Sequence, residues 1–162
     1  MDSLSSQIHG LNPSITSPLY RSIKDKVKFI CASVCSRDDM EYALKDVDYV
    51  IHLAAETGTG QSMYDIYKYV NSNIGGTAML LDILANTKHH VKRVVVAESR
   101  AIYGEGKYVC SNCGDVYPFA RKEMDMTIGD FECKCPKCGA SVALVATTES
   151  SMVHPTSVYG IT

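Results

Sequence analysis

Two cysteine pairs carry spacing that invites metal chemistry: Cys110-Ser-Asn-Cys113-Gly114 and Cys135-Pro-Lys-Cys138-Gly139. Each pair brings two thiolates to one side of a tight turn, and the glycine that follows lets the backbone bend there. The pairs are 21 residues apart, which suits one closed tetrahedral site of four thiolates. A closed site leaves no open position, so the expected ion is a structural zinc; the competing reading is four unliganded thiols. Cys133 is a rival ligand in another register, but it breaks the two-residue spacing. Cys31 and Cys35 read as ordinary small residues near a strand end. A second constellation flanks the cysteines. Ala97-Glu98-Ser99-Arg100-Ala101-Ile102-Tyr103-Gly104 precedes them and His154-Pro155-Thr156-Ser157-Val158-Tyr159-Gly160-Ile161-Thr162 follows. A serine at a strand end and a tyrosine opening a helix can address one substrate hydroxyl, the serine orienting it and the tyrosinate removing its proton. An unperturbed tyrosine titrates at about 10, so such a base needs a nearby cation. Blander readings stand beside these: Ser99 as a strand-end cap, Tyr159 as one packed aromatic among 10 tyrosines, and Arg100 as a solvated charge rather than a substrate contact.

The elements that must position these groups follow from periodicity. Residues 5–22 hold Ser, Asn12-Pro13 and Ser17-Pro18 and read as an irregular loop. Lys26 to Ala32 reads as a buried strand. Ser36 reads as a helix N-cap with Asp38 and Asp39 in the first turn, where carboxylates suit the helix dipole. That helix runs to about Lys45, with Met40, Ala43 and Leu44 on one face. Val47 to Ala55 is a second strand and Val91 to Ala97 a third. Between them Met63, Ile66, Tyr67, Val70 and Ile74 fall at helical spacing, continued by Leu80, Leu81, Ile83 and Leu84, which predicts one helix over about 62–86. Gly75-Gly76 lies inside it at a cost of roughly 1 kcal/mol per glycine, so close packing is expected there. Strands alternating with helices imply a parallel sheet covered by helices, with strands buried on both faces. Periodicity stops over 106–147, which reads as an inserted module too small for its own core. Metal binding of order 10 kcal/mol would hold it together. His52 reads as a satisfied core histidine, and His9, His89 and His90 as surface residues.

Composition narrows the function classes. The net charge of −2 over 162 residues shows no basic surplus for nucleic acid. No apolar run approaches the ~18–20 residues that span a bilayer. The start, Met1-Asp2-Ser3-Leu4-Ser5-Ser6, lacks a basic, apolar leader, so a cytoplasmic location is expected. In that reducing compartment cysteines serve as ligands or free thiols.

The order HLAA, N-x-x-G-T in a helix, S-x-x-x-Y-G, then P-x-S-x-Y-G resembles the extended short-chain dehydrogenase/reductase family, its NAD-dependent epimerase/dehydratase group. The C-x-x-C insertion between serine and tyrosine, the GEGKY lead-in and the HPTSVYGIT ending are similar to the dTDP-L-rhamnose 4-epimerase branch and its UDP-glucose 4-epimerase-like relatives. The resemblance implies an α/β fold: a partial Rossmann-like, doubly wound parallel sheet lacking its first two strands, with an inserted four-cysteine zinc ribbon. It implies a partial NAD-binding domain over 1–105, the ribbon over 106–147, and a return to the Rossmann domain over 148–162. Ser99 and Tyr159 match the catalytic pair. Asp2 matches the acid on the adenosine ribose, and Ser33 and Val34 the adenine-side positions, Ser33 standing where the family usually has aspartate. Leu53, Ala54 and Ala55 match the backbone that passes the cofactor, and Asn73 the helix asparagine beside it; Tyr159 also touches the cofactor. Asp2 read alone is a solvated terminal charge, and Asn73 polar helix surface. Arg100 would face the nucleotide sugar. Glu98 replaces a small residue beside Ser99. Gly58-Thr-Gly60 is no substitute for the family's phosphate-binding turn, which would lie before Met1. The family's Y-x-x-x-K lysine would fall just after Thr162. The implied function is therefore that of a fragment of an NAD-dependent sugar-nucleotide 4-epimerase, inactive as an isolated chain, from a homodimeric family. The alternatives are a dehydratase of the same family or a non-catalytic zinc-ribbon binding module.

Overall fold

The computed structural model describes all 162 residues. Three short helices, α1 (Ser6–His9), α2 (Pro13–Thr16) and α3 (Pro18–Ile23), replace the expected loop at the start. The prolines that suggested a break instead open α2 and α3 at the first helical position, where a missing N–H costs nothing. Ser17 caps α3 by accepting the Tyr20 N–H at 3.1 Å. The strand expected over 26–32 is reduced to one parallel pairing, Asp2 with Cys31. Its hydrogen bonds run from Asp2 N to Ile30 O and from Ala32 N to Asp2 O, both 3.1 Å. Residue 2 alone supplies the partner backbone, so the ladder ends there.

Further along come α4 (Arg37–Leu44), β1 (Tyr49–His52), α5 (Thr59–Ser62) and α6 (Ile66–Tyr69). A π-helical stretch, Val70–Gly75, then leads into α7 (Gly76–Asn86) and β2 (Arg93–Val96). After β2 stand a 3₁₀ turn (Arg100–Tyr103), β3 (Tyr108–Cys110), β4 (Gly114–Val116), α8 (Glu123–Thr127), β5 (Ala143–Leu144) and α9 (Val158–Ile161). The helix expected over 62–86 is thus broken at 63–65 and wound as π across Asn73. The chain forms two compact units, one of Met1–Glu56 with Val70–Ala97 and the other of Thr57–Tyr69 with Glu98–Thr162.

In the first unit β1 and β2 pair in parallel, Tyr49 opposite Arg93 through His52 opposite Val96. Both strands are shorter than expected, although Lys92 N to Asp48 O (2.8 Å) and Ala97 N to His52 O (3.1 Å) carry the pairing slightly beyond them. The core lies on one face of this sheet. Met40 and Leu44 of α4 meet Leu80 and Ile83 of α7, with Val34, Val50 and Val94 packed against them. Ser36 caps α4 by accepting the Asp39 N–H at 3.4 Å, and Asp38 and Asp39 occupy the first turn. Gly76 is where the helix needs no side chain: a Cβ there would meet Val34 Cγ2 at 2.6 Å. On the other sheet face Tyr49, Ile51 and Val95 are exposed, so these strands are not buried on both sides as their apolar runs suggested.

In the second unit β3 pairs antiparallel with β4 and β5 in the order β4-β3-β5. Its small core consists of Cys110, Val116 and Cys135 with Tyr108, Cys113, Ala140 and Val142 around them. No helix of the chain is long and apolar enough to cross a membrane.

Candidate functional site

The second unit holds Ser99, Arg100, Tyr159 and the four paired cysteines. Ser99, half-buried, stands just before the 3₁₀ turn and caps it, its Oγ accepting the Ala101 N–H at 3.2 Å. Gly104 ends that turn at φ +58°, and a Cβ there would lie 2.2 Å from the His154 carbonyl oxygen. The neighbouring hydrogen bond, His154 N to Ile102 O at 2.9 Å, holds the two backbones together. Further on, Ser157 caps α9 through the Gly160 N–H at 3.0 Å. Gly160 then presses on the same turn: a Cβ on it would sit 2.7 Å from Ala101 O. Both glycines of the two Tyr-Gly motifs are therefore close-approach positions: Gly160 sets the Tyr159 helix against the Ser99 turn, and Gly104 sets that turn against the His154 backbone just before the helix. Arg100 is exposed.

Tyr159 is half-buried, and two groups from α5 and α6 meet it. Its N–H donates to Ser62 Oγ at 3.0 Å. Its ring lies edge-on to that of Tyr69, 6.3 Å between centroids. Ser62 and Tyr69 are both fully buried, at 0% exposure. Neither was visible in the sequence pattern, which put Met63, Ile66 and Tyr67 on the packed face. Those three are exposed. The signal that could have found Ser62 and Tyr69 is their seven-residue spacing ahead of Asn73, Gly76, Leu80 and Ile83, which are buried at helical intervals.

The ligand atoms of Cys110, Cys113, Cys135 and Cys138 all lie within 4.8 Å of one another. Cys110 Sγ is 3.6 Å from Cys138 Sγ. Four sulfurs about 2.3 Å from a central zinc would be about 3.8 Å apart, so the cluster fits a tetrahedral soft metal. Gly114 and Gly139 take φ +72° and +74°, the left-handed bend that the C-x-x-C-G pattern anticipated. Four thiols this close cannot all ionise without a cation among them. Burial works against the Cys135 thiolate, but the Cys138 and Lys137 backbone N–H groups win and draw its pKa down to about 6. Hydrogen bonding with Cys138, then burial, pushes Cys113 up to about 12. Cys133 is buried outside the cluster and donates to Glu105 Oε2 at 3.7 Å. All seven cysteines carry free thiols.

The first unit holds Asp2, Ser33, Val34, Leu53, Ala54, Ala55 and Asn73. Asp2 Oδ1 accepts the Leu4 N–H at 2.7 Å and lies 3.6 Å from His9 Nε2. His9 is not a surface residue: it is buried, with Nδ1 2.9 Å from Ser17 Oγ. Ser33 Oγ accepts the Cys35 N–H at 3.2 Å. Leu53, Ala54 and Ala55 are exposed beyond the C-terminal end of β1, the end at which ligands bind in open α/β sheets. Asn73 fixes the exit of that stretch. Its Oδ1 accepts the Glu56 N–H at 2.8 Å and its Nδ2 donates to Glu56 O at 3.1 Å. His52 is the satisfied core histidine expected, 3.0 Å from Thr77 Oγ1, and burial lowers its pKa.

Comparison with known proteins adds an independent line. The model of the NAD dependent epimerase/dehydratase family matches residues 2–122. The dTDP-L-rhamnose 4-epimerase of Burkholderia thailandensis is 30% identical over all of this chain and 42% of its own length. The UDP-glucose 4-epimerase of Pisum sativum is 28% identical over 52% of this chain and 24% of its own. The chain thus spans less than half the length of these curated relatives. Among solved structures, the UDP-glucose 4-epimerase of Bifidobacterium longum in complex with NAD+ and UDP has a TM-score of 0.56 at 22% identity, covering 90% of this chain and 35% of that one. The UDP-N-acetylglucosamine 4-epimerase of Methanobrevibacter ruminantium M1 has a TM-score of 0.52 at 24% identity, covering 82% and 30%. At these identities the structures establish the fold, a Rossmann-like α/β arrangement.

Proposed function

The chain belongs to the NAD dependent epimerase/dehydratase family, and from that premise we propose that it carries the acid–base pair and part of the cofactor site of a sugar-nucleotide 4-epimerase. The observation that supports this most is the close approach of the Tyr159 helix to the Ser99 turn at Gly160, with Gly104 of that turn against the His154 backbone just before the helix. In this reading Ser99 orients the C4 hydroxyl of the sugar and Tyr159 removes its proton. Asp2 receives the adenosine ribose, Ser33 and Val34 flank the adenine, and the exposed stretch Leu53-Ala54-Ala55 passes the cofactor. Asn73 keeps that stretch in place through Glu56, and Arg100 faces the nucleotide sugar. NAD, when bound, supplies reversible hydride transfer. A 4-epimerase is preferred to a dehydratase because the relative aligned along the whole chain is a 4-epimerase. The four thiolates hold a structural zinc. The same proposal includes a cytoplasmic location and a homodimer. The test is turnover of dTDP-L-rhamnose and UDP-glucose with NAD+ by the polypeptide carrying these residues, followed at sugar C4 by proton NMR. Tyr159→Phe is expected to lower turnover by about 10²–10⁴-fold; turnover unchanged by that substitution would overturn the assignment.

A further inference from the structure

α9 (Val158–Ile161) carries Tyr159 at its second position. Two of its opening amides are satisfied by serine hydroxyls. Gly160 N–H goes to Ser157, the local cap. Tyr159 N–H goes to Ser62, which lies 97 residues away in the sequence. The Ser62 hydroxyl has a single proton, and it is committed to Thr59 O at 2.6 Å. What it offers Tyr159 is therefore a lone pair whose direction is set by a second bond. Ser62 has no solvent exposure, so water is not at hand to replace it. Tyr69 acts on the other end of the same residue. Its OH donates to Thr57 O at 2.7 Å, which fixes the ring that lies edge-on to Tyr159. Between these anchors Gly58 takes φ +118°, and a Cβ there would come within 3.3 Å of the Tyr69 hydroxyl. The segment Thr57–Tyr69 thus holds Tyr159 at its backbone and at its ring.

We propose that Ser62 and Tyr69 are positioning residues for the Tyr159 phenol, acting from α5 and α6, the short helices between β1 and the π-helical stretch. The proposal rests on the reading of Tyr159 as the base. Reaction rate responds to placement of a proton-transfer group more steeply than binding does, so the loss of Ser62 should fall on kcat rather than KM.

The experiment labels the chain with tyrosine carrying carbon-13 at Cζ and identifies the Tyr159 signal by its loss in Tyr159→Phe. Ser62→Ala is expected to move that signal toward the position of an exposed tyrosine and to displace its pH titration. Ser62→Thr, which keeps the hydroxyl, is expected to restore both. Turnover of Ser62→Ala should fall about tenfold with KM unchanged. A Tyr159 signal and titration unaltered in Ser62→Ala would overturn the proposal. So would a change that Ser62→Thr fails to reverse, since volume rather than the hydroxyl would then be responsible. If Ser62→Ala does not fold, Tyr69→Phe gives the same reading: it keeps the ring, loses the tie to Thr57, and must shift the Tyr159 signal for the proposal to stand. Failure of the base assignment looks different, because Tyr159→Phe would then retain turnover whatever the Ser62 spectra show.

Discussion

Four sulfur atoms define the most self-contained chemistry in the chain. Cys110, Cys113, Cys135 and Cys138 converge within 4.8 Å of one another, and the two left-handed glycines behind them supply the turns. Purified chain is expected to carry one zinc, measured by elemental analysis, and Cys135→Ser to lose it. Zinc retained in full by that variant would break the four-cysteine assignment. This site was legible because its information is local: a C-x-x-C-G turn needs only its own five residues. Ser99 and Tyr159 were singled out by motif order, and the close approaches at Gly104 and Gly160 that set their segments together depend on residues about 50 positions apart, which no local pattern specifies. His9 was not legible. Its burial depends on Ser17 and Asp2, two residues whose positions no local pattern specifies.

Helix phase is where apolar periodicity failed. It chose Met63, Ile66 and Tyr67 as the packed face, yet Ser62, Tyr69 and Asn73 are the buried ones. The reason is that this stretch packs through directed hydrogen bonds to Tyr159, Thr57 and Glu56, and hydropathy does not register them. The π winding across Val70–Gly75 compounds the error by shifting the phase before α7. The glycine pair was read correctly as a sign of close packing, but only one of the two is responsible. Gly76→Ala is expected to destabilise by about 1–3 kcal/mol, because the new methyl meets Val34 at 2.6 Å. Gly75→Ala, whose Cβ would find nothing nearer than 3.6 Å, is expected to gain about 0.5–1 kcal/mol from helix propensity. Urea denaturation of the two variants should show opposite signs, and equal signs would remove the packing explanation.

Across the whole molecule the balance of covered and uncovered apolar surface is uneven. One face of the β1–β2 sheet holds the core of the first unit, while Tyr49, Ile51 and Val95 stand open on the other. A net charge of only −2 offers little mutual repulsion. The chain is therefore expected to associate as its concentration rises, and Ile51→Lys to suppress that association in sedimentation velocity runs. Association undiminished by Ile51→Lys would show that this face is not responsible. The hydrogen bond from Tyr159 to Ser62 bears on the order in which the molecule assembles. It closes a loop of 97 residues, and loops of that length are slow to close. The four-cysteine cluster and the α4–α7 core draw on contacts closer in sequence and can form early. The tyrosine proposed to do the chemistry is thus among the last parts of the chain to take its shape, and the first to lose it when the 57–69 segment loosens.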